Sequence, residues 1–219
     1  MASSLHAALV TGGTGRVGKA VAARLETEGH RVLAAGRSDG DLRRAGEAHA
    51  LVERAAAQLG GLDVVVCAAA AGFAPRAVDD VAEEDWELAL DTTAKGTFFT
   101  LQAAAPWLRR SEVGLAVVIE DVAAYEAWPR FGPHCAAKAA QAMLTRVFAR
   151  ALAPDVRVCG IAPGTVAAEP GQEERRAAES LLGRVGSPQD VANAVAFLLR
   201  AEFVTGTTLV VDGGRLAKP

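Results

Sequence analysis

Apolar residues along this chain follow two alternating rhythms. Short unbroken apolar runs read as strands: LHAALV (5–10), RVLAAG (31–36), LDVVVCA (62–68), GLAVVIE (114–120), VRVCGIAP (156–163) and TTLVVDGG (207–214). Between them the apolar positions repeat at helical spacing, in VGKAVAARLETEG (17–29), AHALVERAAAQL (48–59), most of Trp86 to Leu108, CAAKAAQAMLTRVFARAL (135–152) and SPQDVANAVAFLLR (187–200). The first helix stops at a glycine. The last has Ser187 as its cap, Pro188 at the first helical position and Asp190 in the first turn. Continuous apolar strands separated by helices predict parallel strands covered on both faces, an α/β, doubly wound sheet. With no linker, repeat or low-complexity tract, residues 1–219 are expected to form a single domain. The stretch from Ala167 to Arg176 is expected to be a mobile loop.

Composition narrows the partners. The chain is 51% hydrophobic and 22% charged, which suits a globular protein with a substantial core. A net charge of −3 leaves no basic footprint for nucleic acid. No apolar run approaches the roughly 18–20 residues of a membrane span. The start, MASSLHAALVTGG, has no basic segment ahead of a cleavable apolar stretch, so no signal peptide is expected. The cysteines, Cys67, Cys135 and Cys159, are odd in number and widely spaced, and the four histidines show no ligand spacing. We therefore expect no disulfide framework, no metal site, and a reducing, cytoplasmic setting. Cys67 and Cys159 end apolar runs and read as small core hydrophobes.

Candidate chemistry begins at the first strand-to-helix junction, Thr11-Gly12-Gly13-Thr14-Gly15-Arg16-Val17-Gly18. Glycines there let the backbone turn tightly and approach a pyrophosphate, which then sits on the helix N-terminus. At this place in a doubly wound sheet the cluster points to dinucleotide binding; the plain alternative is a tight turn that packs helix on strand. The second strand ends in Gly36-Arg37-Ser38, without the acid that would hold a ribose 2′-hydroxyl. An arginine suits a 2′-phosphate, so NADP(H) is expected ahead of NAD(H), unless Arg37 is simply a solvated surface charge.

Taken together, TGGTGRVG (11–18), LDVVV (62–66), Trp86 with KGTFF (95–99), HCAAK (134–138), VRVCGIAPGTV (156–166), GRVGSPQDVANAVAFLL (183–199) and VTGTTLVVDGG (204–214) make the chain resemble the short-chain dehydrogenase/reductase family over nearly its whole length. The resemblance implies a Rossmann-type fold, a nicotinamide cofactor, a small-molecule substrate and assembly as a homotetramer or homodimer. The long helices at 92–110 and 135–152 have the apolar content for the family's usual dimer faces. On the same ground, Gly12, Thr14, Gly15, Arg16, Val17, Gly18, Arg37, Ser38, Asp41, Leu42, Ala68, Ala69, Lys138, Pro163, Gly164 and Val166 are the candidate cofactor contacts.

Several positions depart from the family pattern. Arg16 replaces the middle glycine of TGxxxGxG, and pteridine reductases carry arginine there. Between the second strand and Ala48 the chain is short, keeping only Asp41-Leu42 of the family's third strand. The family's NNAG appears as Cys67-Ala68-Ala69-Ala70. Thr93 stands where the family has an asparagine that helps hold a water in the proton relay. The family's Ser, Tyr and Lys become Asp121, His134 and Lys138. Aspartate at the serine position is again a pteridine-reductase trait; histidine at the tyrosine position is not.

His134 and Lys138 are four residues apart and share a helix face. Asp121 follows a strand whose end opens on the cofactor crevice. An imidazole is a competent general acid near neutral pH. Asp121 and His134 thus deliver a proton in place of tyrosine, while Lys138 holds the ribose. Arg16, Phe73, Trp128 and Phe131 are the candidate substrate contacts, the aromatics suiting a flat ring such as a pterin. The reading is an NADPH-dependent reductase of a small carbonyl or pterin-like compound. The alternatives are a non-catalytic NADP-binding protein that senses or assembles, and a purely structural protein whose glycine turn binds nothing. Tyr125, thirteen residues before Lys138 and not four, does not restore the motif by spacing.

Overall fold

Six strands lie side by side, all parallel, in the order β2-β1-β3-β4-β5-β6. They are β1 (Ala7–Thr11), β2 (Arg31–Ala35), β3 (Val64–Cys67), β4 (Leu115–Ile119), β5 (Arg157–Pro163) and β6 (Thr208–Val211). This is a computed structural model, and it describes residues 5–218. The reading of residues 1–4 as free of a leader lies outside them. β1, β3 and β4 are buried along their whole length, as the unbroken apolar runs require of strands covered on both sides.

Alternate strand residues face opposite helical layers. Leu9, Val65, Cys67, Ala116, Val118 and Val158 pack under α2 (Ala45–Leu59), α4 (Gly96–Leu108) and α5 (Gly132–Leu152). Val10, Val64, Val66, Val117, Cys159 and Ile161 pack under α1 (Arg16–Thr27) and α7 (Pro188–Arg200). Burial lifts the Cys67 thiol to about 12 and the Cys159 thiol to about 11, so both are inert core groups. Ser187 caps α7: its hydroxyl accepts from Asp190 N while the Asp190 carboxylate accepts from Ser187 N at 2.8 Å. The helical stretch around Trp86 is two helices, α3 (Glu83–Leu90) and α4, fused through a wider π-helical turn at Asp91–Lys95 that buries Thr93. Among the described residues no helix is long and apolar enough to cross a membrane.

Two expectations change. Asp41-Leu42 forms no strand: the segment after β2 is a short turn at Arg37–Asp39 followed directly by α2, which leaves β2 as the sheet edge. A parallel strand needs a crossover of a dozen or more residues, and the chain between β2 and α2 is too short for one. Within 167–176 the chain does not remain a loop to the end: a short helix, α6 (Glu173–Ala177), begins inside it.

The chain leaves β1 for β2 on one side and returns to β3 on the other. The order reverses there, so the loops after β1 and β3 part and open a crevice at their C-terminal ends.

Candidate active site

At that crevice a cavity of about 400 Å³ lies between the turn after β1, the turn after β2 and the segment after β3. Gly12, Thr14, Gly15, Arg37, Asp41, Leu42, Ala68 and Ala69 all line it, as expected of them from the sequence. The glycines are sterically required. Gly12 has φ +66°, and a Cβ on it would meet the Ala68 carbonyl oxygen at 2.6 Å. A Cβ on Gly18 would meet the Gly12 carbonyl oxygen at 2.2 Å, so Gly18 supports the turn from beneath and does not line the cavity. Gly15, at the N-cap of α1, offers no side-chain cap and the first turn holds no acid, which leaves the amide dipole unanswered and suited to an anion.

Around the β2 end, Arg43 clamps Asp41 through bonds of 2.9 and 2.7 Å and holds that carboxyl down at about 2. Asp41 is thereby neutralised as a site charge. Arg37 makes no ion pair among the described residues and stands exposed at the cavity wall. Arg43, which also lines the cavity, was not singled out in the sequence; the Arg43-Arg44 pair after Asp41 was its signal.

Other expected contacts are placed elsewhere. Val17, on α1, is half-buried and packs against the core, and Ser38 sits in the exposed turn outside the cavity lining. Arg16 turns outward, its guanidinium 3.2 Å from Glu169 in the loop after β5, both side chains about two-thirds exposed. Pro163 ends β5 beside β6, and Gly164 and Val166 follow it; the Gly164 amide donates to the Val211 carbonyl and Val166 packs on the core.

The second group of residues gathers where β4 ends and α5 begins. Asp121 caps a short turn by accepting from Ala123 N at 2.9 Å, which aims its other oxygen at His134 Nε2, 3.3 Å away. His134 is 5% exposed. Phe73 stacks on it with centroids 3.9 Å apart, Trp128 lies parallel on it at 6.1 Å, and Phe131 meets both aromatics edge-on. Three of the four expected substrate contacts therefore meet at His134. Beside them a second cavity of about 330 Å³ is lined by Phe73, Phe131, Leu88, Arg76, Arg130 and His134.

Arg215, from the chain's last turn, secures this aromatic group. Its guanidinium lies 5.0 Å over the Trp128 ring and bonds Glu126 at 2.8 Å and Glu179 at 2.5 Å. The bond from Arg215 holds the Glu126 carboxyl below its usual range. With 13% of its side chain exposed, Arg215 is close to a buried partner of two acids. Arg215→Met is expected to lower stability by about 2 kcal/mol. That corresponds to roughly 4–8 °C in the melting temperature, read by thermal denaturation. An unchanged melting point would show that the cluster is not held from the C-terminal turn.

Beneath His134, Lys138 is 4% exposed, and its ammonium points inward to the Ile119 carbonyl at 2.9 Å and Gln141 Oε1 at 2.8 Å. Burial pushes it down to about 8. Glu120, missed in the sequence because it ends an apolar run, is 2% exposed and accepts from the hydroxyls of Tyr125, Thr145 and Thr208. Gly160 on β5 leaves room for its carboxylate. Tyr125 is thus directed at Glu120 and at Thr208, which begins the edge strand β6 opposite Gly160, and not at His134.

The family model described as enoyl-(acyl carrier protein) reductase matches residues 7–215. The chain is 31% identical to dehydrogenase/reductase SDR family member 4 of Bos taurus over 242 aligned positions, covering 96% of this chain and 87% of that one. The chain belongs to the short-chain dehydrogenase/reductase family. To 3beta-hydroxysteroid dehydrogenase 1 of Eggerthella lenta it is 34% identical, covering 96% of this chain and 94% of that protein. Among solved structures, a small-chain dehydrogenase superposes with a TM-score of 0.89 at 26% identity, covering 98% of this chain and all of that one. These relatives are dehydrogenases and reductases, so membership brings oxidoreduction and a nicotinamide cofactor.

Proposed function

We propose that the protein is an NADPH-dependent reductase of a small carbonyl or pterin-like substrate in which an aspartate–histidine pair replaces the family's tyrosine as proton donor. The observation that carries this reading is the Asp121–His134 contact, 3.3 Å, on the same helix face as Lys138. The crevice fits the cofactor on its own chemistry: a turn with no room for Cβ atoms at Gly12 and Gly18, a helix N-terminus without a side-chain cap, and the exposed Arg37 on its wall. A bound nicotinamide dinucleotide supplies the hydride.

The protein's own groups do the rest. Gly12, Thr14 and Gly15 seat the pyrophosphate on α1. Arg37, with Arg43 beside it, reads the 2′-phosphate. Lys138 keeps one N–H beyond its two inward bonds, available to a ribose hydroxyl. Asp121 orients the imidazole through the 3.3 Å contact, and His134 gives the proton to the nascent alkoxide or ring nitrogen. Phe73, Trp128 and Phe131 keep the imidazole plane fixed and exclude water around it. Arg16 joins the site when an anionic ligand displaces Glu169 from it. Assembly as a homotetramer or homodimer is supported by α5, which exposes Met143 and Val147. A cytoplasmic setting is supported by the buried free thiols.

Titration with NADPH and separately with NADH, followed by nicotinamide fluorescence, tests the cofactor. Tight binding of NADPH alone is expected. Arg37→Ala is expected to weaken NADPH by about 10- to 100-fold, the loss of a charged hydrogen-bond partner, and to leave NADH unchanged. An equal effect on both would place Arg37 away from the 2′-phosphate.

A further inference from the structure

Gln141 is fully buried, and both ends of its amide are in use. Its Oε1 accepts from Lys138 at 2.8 Å, while its Nε2 donates to Thr97 Oγ1 at 2.7 Å and to the Thr93 carbonyl at 3.3 Å. This orientation is forced. The Thr93 carbonyl only accepts and the ammonium only donates, so a flipped amide would set like against like at both ends. The glutamine therefore fills the gap between Lys138 on α5 and the helical turn leading into α4.

An amide in this position holds a charge but passes no proton, unlike a hydroxyl or a carboxyl. The other charged or titratable groups facing Lys138 are Asp121 and Glu120, both following β4, and His134 on its own helix. Glu120 is occupied by three hydroxyl donors. The turn into α4 and α4 itself meet Gln141 through the Thr93 carbonyl and the Thr97 hydroxyl, while the charged groups of that turn, Asp91 and Lys95, pair with each other at 3.2 Å. We propose that Gln141 is a positioning residue for Lys138: it ties the lysine across to α4, fixes its ammonium in place, and leaves Asp121 and His134 as the groups that carry protons. This rests on the reading of the crevice as a nucleotide site.

The chain has only four lysines, so protein labelled with ¹³Cε and ¹⁵Nζ lysine reports Lys138 separately from Lys19, Lys95 and Lys218. In the wild type one lysine is expected to titrate near 8, apart from the other three. Gln141→Glu is expected to raise that midpoint by about one unit or more, because a carboxylate then faces the ammonium. Gln141→Leu, which strips a buried cation of an acceptor, is expected to lower it by a similar amount. NADPH affinity, measured against pH, is expected to fall as Lys138 loses its charge, and this fall should move with the variants. A glutamine that merely fills space would change the melting temperature and leave the midpoint in place; that result overturns the proposal. Should the leucine variant fail to fold, the near-isosteric glutamate variant decides alone. If wild-type protein binds no NADPH, the nucleotide reading fails, while the lysine titration still decides the role of Gln141.

Discussion

His134→Phe is expected to abolish turnover, by about 10²- to 10⁴-fold, and to leave NADPH affinity unchanged. The substitution isolates one function. Phenylalanine keeps an aromatic plane between Phe73 and Trp128, so the stack that surrounds position 134 survives. It removes the ring nitrogen that Asp121 Oδ2 faces at 3.3 Å. None of the groups lining the 400 Å³ crevice changes. The measurement pairs a fluorescence titration with NADPH oxidation on a panel of dihydropterins and small ketones. Unchanged turnover would sink the proton-donor assignment. Tight NADPH binding by the wild type with no turnover on any substrate would favour a nucleotide-binding shell that has lost catalysis, and a copurifying partner would point to a role in a hetero-oligomer.

Gly18→Ala is expected to damage both fold and cofactor binding. The new methyl would lie 2.2 Å from the Gly12 carbonyl oxygen and 2.7 Å from its carbon, and both are backbone atoms in a turn already braced against Ala68. Relief requires the turn to shift away from α1, against close packing on the other side. We expect a loss of about 3 kcal/mol, the upper end for overpacking. For a chain of this size that is roughly 6–12 °C in melting temperature. NADPH affinity should fall at least about tenfold, because the amides of the turn move with it. A variant that melts and binds like the wild type would show that the turn is not the phosphate seat.

Much of this was legible in the amino-acid pattern. Strands buried on both faces carry unbroken apolar runs, so all six were visible as short segments with boundaries within a few residues. Their parallel pairing followed from the helices between them. Ser187, Pro188 and Asp190 marked the start of α7 because a cap is a local device, complete within four residues. The glycine turn was legible for the same reason. So was the spacing of Asp121, His134 and Lys138, since a helix repeat sets His134 over Lys138 whatever surrounds them.

The remainder depended on groups far apart in the chain. Nothing near Arg16 foretells Glu169, 153 residues away, and the arginine read as a phosphate contact is held outward by it. Glu120 looked like the tail of a strand; only the arrival of Tyr125, Thr145 and Thr208 around it makes a buried carboxylate tolerable. Gln141 was one more polar residue on a helix until α4 came to lie across from it. By itself, the sequence determined the layered fold, the crevice and the residue types that face it, because these follow from periodicity and local sterics. Only the tertiary structure decided which charges are paired, which are buried and which way each side chain is turned, because those energies depend on partners that the chain brings together only when folded.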